Sequence, residues 1–223
     1  MRHLLLAFLL VQALFSFSQE IKSPSEFLGY RLGTQFTHYH QVVDYYRYLS
    51  QVASERVQLQ EYGKTYEQRP LFIALVTSAK NMQHLEEIRQ EHLPESKKNA
   101  LAKNDSNAIV WLSYNVHGNE SSGTEASMQT IYELLVHKSS YLDNTVVIID
   151  PCLNPDGRER YVNWYFQFRN IPNTLDPNSK EHHEGWLSGR TNHYMFDLNR
   201  DWAWATQAET QQRLKVYNRW LPH

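Results

Sequence analysis

The sequence predicts an α/β fold, with a mixed, partly parallel sheet flanked by helices. Two observations carry this. Short apolar runs at LFIALVTS (71–78), AIVWLSY (108–114) and VVIID (146–150) read as buried strands. Segments with apolar residues at helical spacing alternate with them. That alternation puts the strands in one layer and the helices on its faces.

Taken in order, residues 1–18 (MRHLLLAFLLVQALFSFS) join a short basic start, Arg2 and His3, to an apolar stretch from Leu4 to Phe15. Small residues follow, before a cut near Gln19. The run is too short to span a bilayer comfortably and reads as a cleaved signal peptide. It predicts a secreted or periplasmic protein with no stable membrane insertion after cleavage. No cysteine follows the run, so a lipid anchor is not supported. Residues 19–223 then form one domain with enough chain for a sizeable core.

Residues 19–36 look irregular. THYHQVVDYYRYLSQVA (37–53) predicts a helix burying Val42, Val43, Tyr46 and Leu49. Val57–Tyr62 alternates like a strand, GKTYEQRP is turn-like, and 71–78 is a buried strand. A charged helix is expected over 80–92, then a polar, exposed linker, PESKKNALAKNDSNA. The strand at 108–114 leads to a helix over about 122–137 and to the strand 146–150. The long segment 170–195 is rich in Asn, Pro, Ser, Gly and His and reads as a loop, a lid or pocket wall.

A net charge of −2 argues against a nucleic-acid partner. A single cysteine, Cys152, rules out an intrachain disulfide and reads as a small buried residue. Stability must come from packing, which 14 Tyr, 9 Phe and 6 Trp can supply.

The most informative stretch is AIVWLSYNVHGNE (108–120). A strand would deliver His117 and Glu120 to its carboxyl end, where ligands collect in open α/β sheets. An imidazole and a carboxylate in a strand-to-helix turn can share one zinc ion, and zinc chemistry is hydrolytic. Two other His-x-x-Glu pairs, His84/Glu87 and His92/Glu95, lie in a charged segment and read as solvated helix faces. His182-His183-Glu184 reads as solvated loop, because adjacent residues rarely converge on one ion.

Two more segments bear on the site. NPDG (154–157) follows the last strand and reads as a turn, with Pro presetting its angle and Gly accepting a left-handed one. FDLNRDW (196–202) exposes Asn199 and Arg200 side by side.

Together GKTYEQRPL, HGNE, NPDG with a downstream Arg, and DLNRD, in this order from Tyr62 to Trp202, resemble the zinc metallocarboxypeptidase family, the carboxypeptidase A-like peptidases. The resemblance implies Zn2+, with His117 and Glu120 as two of its three ligands. It implies that Arg169, twelve residues after Gly157, stabilises the oxyanion. It implies that Asn199 and Arg200 grip the terminal carboxylate of the substrate, the C-terminus of a peptide or protein. A planar guanidinium suits a free carboxylate, and gripping the chain end selects an exopeptidase.

The family's third ligand, a histidine on a later strand, and its later general-base glutamate have no counterpart before residue 223. ATQAETQQRLKVYNRWL resembles the family helix that leads into the histidine-bearing strand. The chain is therefore expected to be the amino-terminal portion of the catalytic domain, binding zinc weakly and inactive alone. His223, after Pro222, is a poor substitute for the missing ligand. Other readings stay open: an amide hydrolase of the aspartoacylase or succinylglutamate desuccinylase type, a cell-wall peptide hydrolase, or a non-catalytic module that binds carboxylates.

Overall fold

A computed structural model describes residues 20–93, 107–120 and 122–223. The expected signal peptide, most of the polar linker and Glu95 lie outside the described residues.

Among the described residues four strands form one sheet: β1 (Val57–Lys64), β2 (Pro70–Val76), β3 (Ala108–Ser113) and β4 (Thr145–Asp150), in the spatial order β1-β2-β4-β3. β1 and β2 are an antiparallel hairpin, and β2 pairs antiparallel with β4. β3 and β4 run parallel, with Ser113 opposite Asp150. The sheet is thus mixed and partly parallel, as the alternation of elements predicts. The parallel pair matters most, because it brings the segments after β3 and β4 out at the same end of the sheet.

Seven α-helices accompany the strands among the described residues: α1 (Pro24–Leu28), α2 (Tyr39–Val52), α3 (Ala79–Gln83), α4 (Leu85–His92), α5 (Gly123–Val136), α6 (Pro155–Phe168) and α7 (Ala208–Trp220). The single charged helix expected over 80–92 is broken. Ser78 caps α3 by accepting from the Asn81 backbone, and His84, at φ −116° and ψ 19°, ends α3 and opens α4. His84 and Glu87 pair at 3.0 Å on a solvent-exposed face, as their charged surroundings predict.

The period-two pattern of the strands divides the core between the sheet faces. From β2, Phe72, Ala74 and Val76 pack with Val147 and Ile149 of β4 against α2 and α5. The intervening Ile73 and Leu75, with Val146 and Ile148, pack against α4 and α7. The expected face of α2 is buried, and Tyr39 and Tyr45 are buried with it.

α7 is pinned by charge as well as by packing. Arg213 is buried and donates to Asp150 Oδ2 at 3.1 Å and to the Leu153 carbonyl at 3.1 Å. Tyr62 donates to the same Asp150 oxygen. Burial works against the Arg213 charge, but the Tyr62 and Asp150 groups hold it above its ordinary range. Removing one partner of such a pair strands a buried charge, typically at a cost of about 3–5 kcal/mol.

Candidate active site

NPDG is the first turn of a helix rather than a free-standing turn. Asn154 caps α6, its Oδ1 accepting from the Gly157 backbone at 3.0 Å, with Pro155 in the first turn. Proline suits that position because its missing N–H has no partner there anyway. α6 therefore starts at the carboxyl end of β4, beside the turn that follows β3.

That turn is tightly held. Asn115, at φ 53°, donates to the carbonyls of His117 (3.0 Å) and Glu120 (3.3 Å). Its Oδ1 accepts from Cys152 at 3.3 Å. Cys152 is buried, and burial pushes its thiol up to about 12, so it stays a neutral packing group. Gly118 is buried against the first turn of α6, and a Cβ there would collide with the Gly157 and Arg158 backbone. Behind the turn, Arg158 of α6 and Glu125 of α5 form a buried ion pair, which also engages the Thr37 backbone.

His117 is buried and Glu120 is exposed, with His117 Nδ1 and Glu120 Oε1 2.8 Å apart. The other ring nitrogen, Nε2, lies 3.0 Å from Asp197 Oδ1. A carboxylate there favours the tautomer with Nε2 protonated, which turns the Nδ1 lone pair towards Glu120. Two acceptors facing each other at this distance need a proton or a metal ion between them. The pair therefore fits a shared cation, and an imidazole with a carboxylate is zinc-type ligation. Among the described residues, no group of three or more His, Cys, Asp or Glu side chains could hold a metal ion.

Asp197 organises the rest. Its Oδ1 also accepts from the Asn199 backbone at 2.9 Å, and its Oδ2 accepts from Arg190 Nη2 at 3.1 Å. Burial raises its pKa, but the bonds from His117 and Asn199 and the Arg190 charge outweigh this and keep it below the usual carboxylate range. Arg190 Nη1 also lies 3.5 Å from Glu120 Oε1. Asn199 and Glu120 line one cavity of about 390 Å³ with Tyr114, Asn115, Leu153 and Trp202. Arg200 is exposed next in sequence and has no carboxylate partner among the described residues.

The structure thus brings His117, Glu120 and Asn199 together, with Arg200 next in sequence. It does not bring Arg169 to them. Arg169 is the C-cap of α6, donating to Gln35 at 2.9 Å and stacking on Phe166 at 4.5 Å. Twelve residues of helix separate its backbone from Gly157 by roughly 18 Å. The guanidinium beside Glu120 is that of Arg190.

Sequence reasoning missed Arg190, Asp197 and Asn115. Asp197 stands in the DLNRD motif, but nothing in its spacing signals contact with a histidine eighty residues earlier. Arg190 lies in the long loop whose composition predicts a lid or pocket wall, where a Gly-Arg step does not by itself mark a site. His223 is remote from the turn. Its backbone N–H donates to the Ile109 carbonyl near the start of β3, whereas His117 follows the end of that strand.

The family model described as zinc carboxypeptidase matches residues 42–219. Carboxypeptidase A from Helicoverpa armigera superposes with a TM-score of 0.55 at 18% identity, covering 96% of this chain and 49% of that one. A carboxypeptidase A-type protein from Shewanella denitrificans gives 0.51 at 16% identity, covering 82% and 36%. Bovine thrombin-activatable fibrinolysis inhibitor, in complex with tick carboxypeptidase inhibitor, gives 0.52 at 13% identity, covering 83% and 57%. No curated protein matches the chain. The chain spans about half or less of the first two of these structures and 57% of the third. Their likeness supports the mixed α/β architecture, and the family match extends through every element around the site. The chain belongs to the zinc carboxypeptidase family.

Proposed function

We propose that this chain is the amino-terminal part of an exported zinc carboxypeptidase that removes residues from peptide C-termini. The observation that carries the reading is the convergence of His117 Nδ1 and Glu120 Oε1 at 2.8 Å, with Asp197 behind the ring and Arg190 beside the carboxylate. Residues 1–18 support export by their composition.

His117 and Glu120 would hold the zinc. When bound, the ion supplies a water acidic enough to act near neutral pH and polarises the scissile carbonyl. Asp197 fixes the His117 ring so that Nδ1 faces the Glu120 carboxylate with which it would share the ion. Arg190 is the better candidate than Arg169 for stabilising the oxyanion. Its guanidinium already neighbours Glu120, whereas Arg169 is committed to Gln35 and Phe166. Asn199, on the cavity wall, and Arg200, without a carboxylate partner among the described residues, suit the substrate's terminal carboxylate.

The reading requires a third zinc donor and a general base from protein beyond residue 223. The free side of β3 suits such a segment. Among the described residues β3 is an edge strand, and the His223 and Ile109 backbones already bond at 3.0 Å.

The test uses the full-length protein with a pair of peptides differing only in a free or amidated C-terminus. Chelator-sensitive release of the last residue from the free-acid peptide alone is expected. Equal cleavage of both peptides removes the exopeptidase claim, and activity that survives chelation removes zinc.

A further inference from the structure

Arg190 sits on a segment with no regular secondary structure, yet that segment is gripped by side chains along its length. Arg160, on α6, donates from Nη1 to the carbonyls of Ser188 (2.9 Å) and Thr191 (3.2 Å), and from Nη2 to that of Asn192 (3.2 Å). Asn154, the cap of the same helix, donates to the Arg190 carbonyl at 3.1 Å. Glu184 accepts from the Gly189 backbone and also from the Asn119 side chain, in the turn between His117 and Glu120.

Loop carbonyls usually face water. Here one rigid guanidinium fork replaces water for three of them, spanning Ser188–Asn192. The Arg190 side chain is 42% exposed and, among the described residues, is held by two charge partners, Asp197 and Glu120. A long side chain on a wandering backbone would not stay aimed at a reacting atom, and a misplacement of about 1 Å can cost on the order of 100-fold in rate.

We propose that Arg160 is a positioning residue: it clamps the Ser188–Asn192 backbone so that the Arg190 guanidinium is held at the site formed by His117, Glu120 and Asp197. The Asn154 bond and the close approach of Gly189 to Gly118 and Gly157 tie the same segment to both turns of the site. The kinetic part of this claim rests on the carboxypeptidase reading; the clamp itself does not.

The experiment compares Arg160→Met, Arg190→Ala and the double variant in the full-length, zinc-loaded protein. Hydrogen exchange at the amides of 188–192 is measured alongside hydrolysis of a free-acid peptide. Arg160→Met is expected to speed exchange there at least about 10-fold while β4 amides stay protected. It is expected to lower kcat about 10- to 100-fold with little change in KM. The double variant should be no slower than Arg190→Ala alone, because the loss passes through Arg190. Unchanged exchange, or two losses that multiply in the double variant, overturns the proposal. Faster exchange in a protein whose wild type cleaves no peptide supports the clamp and removes the carboxypeptidase reading instead. Should Arg160→Met fail to fold, Arg160→Lys is substituted. It keeps the charge but not the fork, and the same changes are expected at smaller size.

Discussion

Asp197 Oδ1 accepts from His117 Nε2 at 3.0 Å, across eighty residues of sequence. The other oxygen of the same carboxylate takes Arg190 at 3.1 Å. One acidic side chain therefore sets both the ring orientation of a zinc-ligand candidate and the place of the neighbouring cation.

Asp197→Asn keeps a polar group against the ring but removes the charge that both partners use. Loss of such an outer carboxylate typically costs about 10- to 100-fold in metal affinity. Competition with a fluorescent chelator measures it in the full-length protein. Affinity within twofold of wild type would show that Asp197 does not orient the ligand.

Arg190→Ala should lower kcat by about 100- to 1,000-fold, the usual cost of removing one oxyanion donor. Arg169→Ala should leave kcat nearly unchanged and act on stability through Gln35 and Phe166. Steady-state kinetics on one peptide substrate decides between the two arginines, and the reverse ranking restores Arg169 to the role.

Arg200→Ala should raise KM more than it lowers kcat, if the carboxylate grip holds substrate and transition state alike. A change confined to kcat counts against that role.

Gly118→Ala should destabilise the fold by about 1–3 kcal/mol, the usual range for overpacking. The added Cβ meets backbone rather than a side chain that can swing aside. Urea unfolding of the two proteins gives the difference, and equal midpoints would mean that the turn can move off α6.

Acid should weaken the fold partly through Asp201. Burial raises its pKa, but bonds from the Thr206 hydroxyl and from the Thr206 and Gln207 backbones bring it below its ordinary value. The unfolded chain therefore binds this proton more readily than the folded one. The stabilisation is complete above the unfolded value of about 4 and is lost as pH falls through the lower, folded value. Asp201→Asn should be less stable at neutral pH and lose less on acidification. Parallel stability curves for wild type and variant below pH 5 would contradict this.

Much of the architecture was legible because it is local. Phe72 to Val76 alternates between two cores, and Val42 to Leu49 repeats at helical spacing, so the pattern itself says which faces are buried. His84 broke one expected helix in two because a cap is a matter of dihedral angles, which charge composition does not report.

The sequence by itself determined the strands, the helices α2 and α5, the pairing of His117 with Glu120 three residues on, and the motif order that marks the family. Only the tertiary structure decided which distant groups meet them. The family resemblance assigned Arg169 to the oxyanion, but the residues between it and Gly157 are helical and carry it along the axis to Gln35 and Phe166. Arg190, thirty-three residues past Gly157, returns to the site on a loop. Contacts three or four residues apart follow from backbone geometry alone. Contacts eighty apart, such as His117 with Asp197, depend on how the parallel strands β3 and β4 end side by side and how the loop after α6 folds back over them.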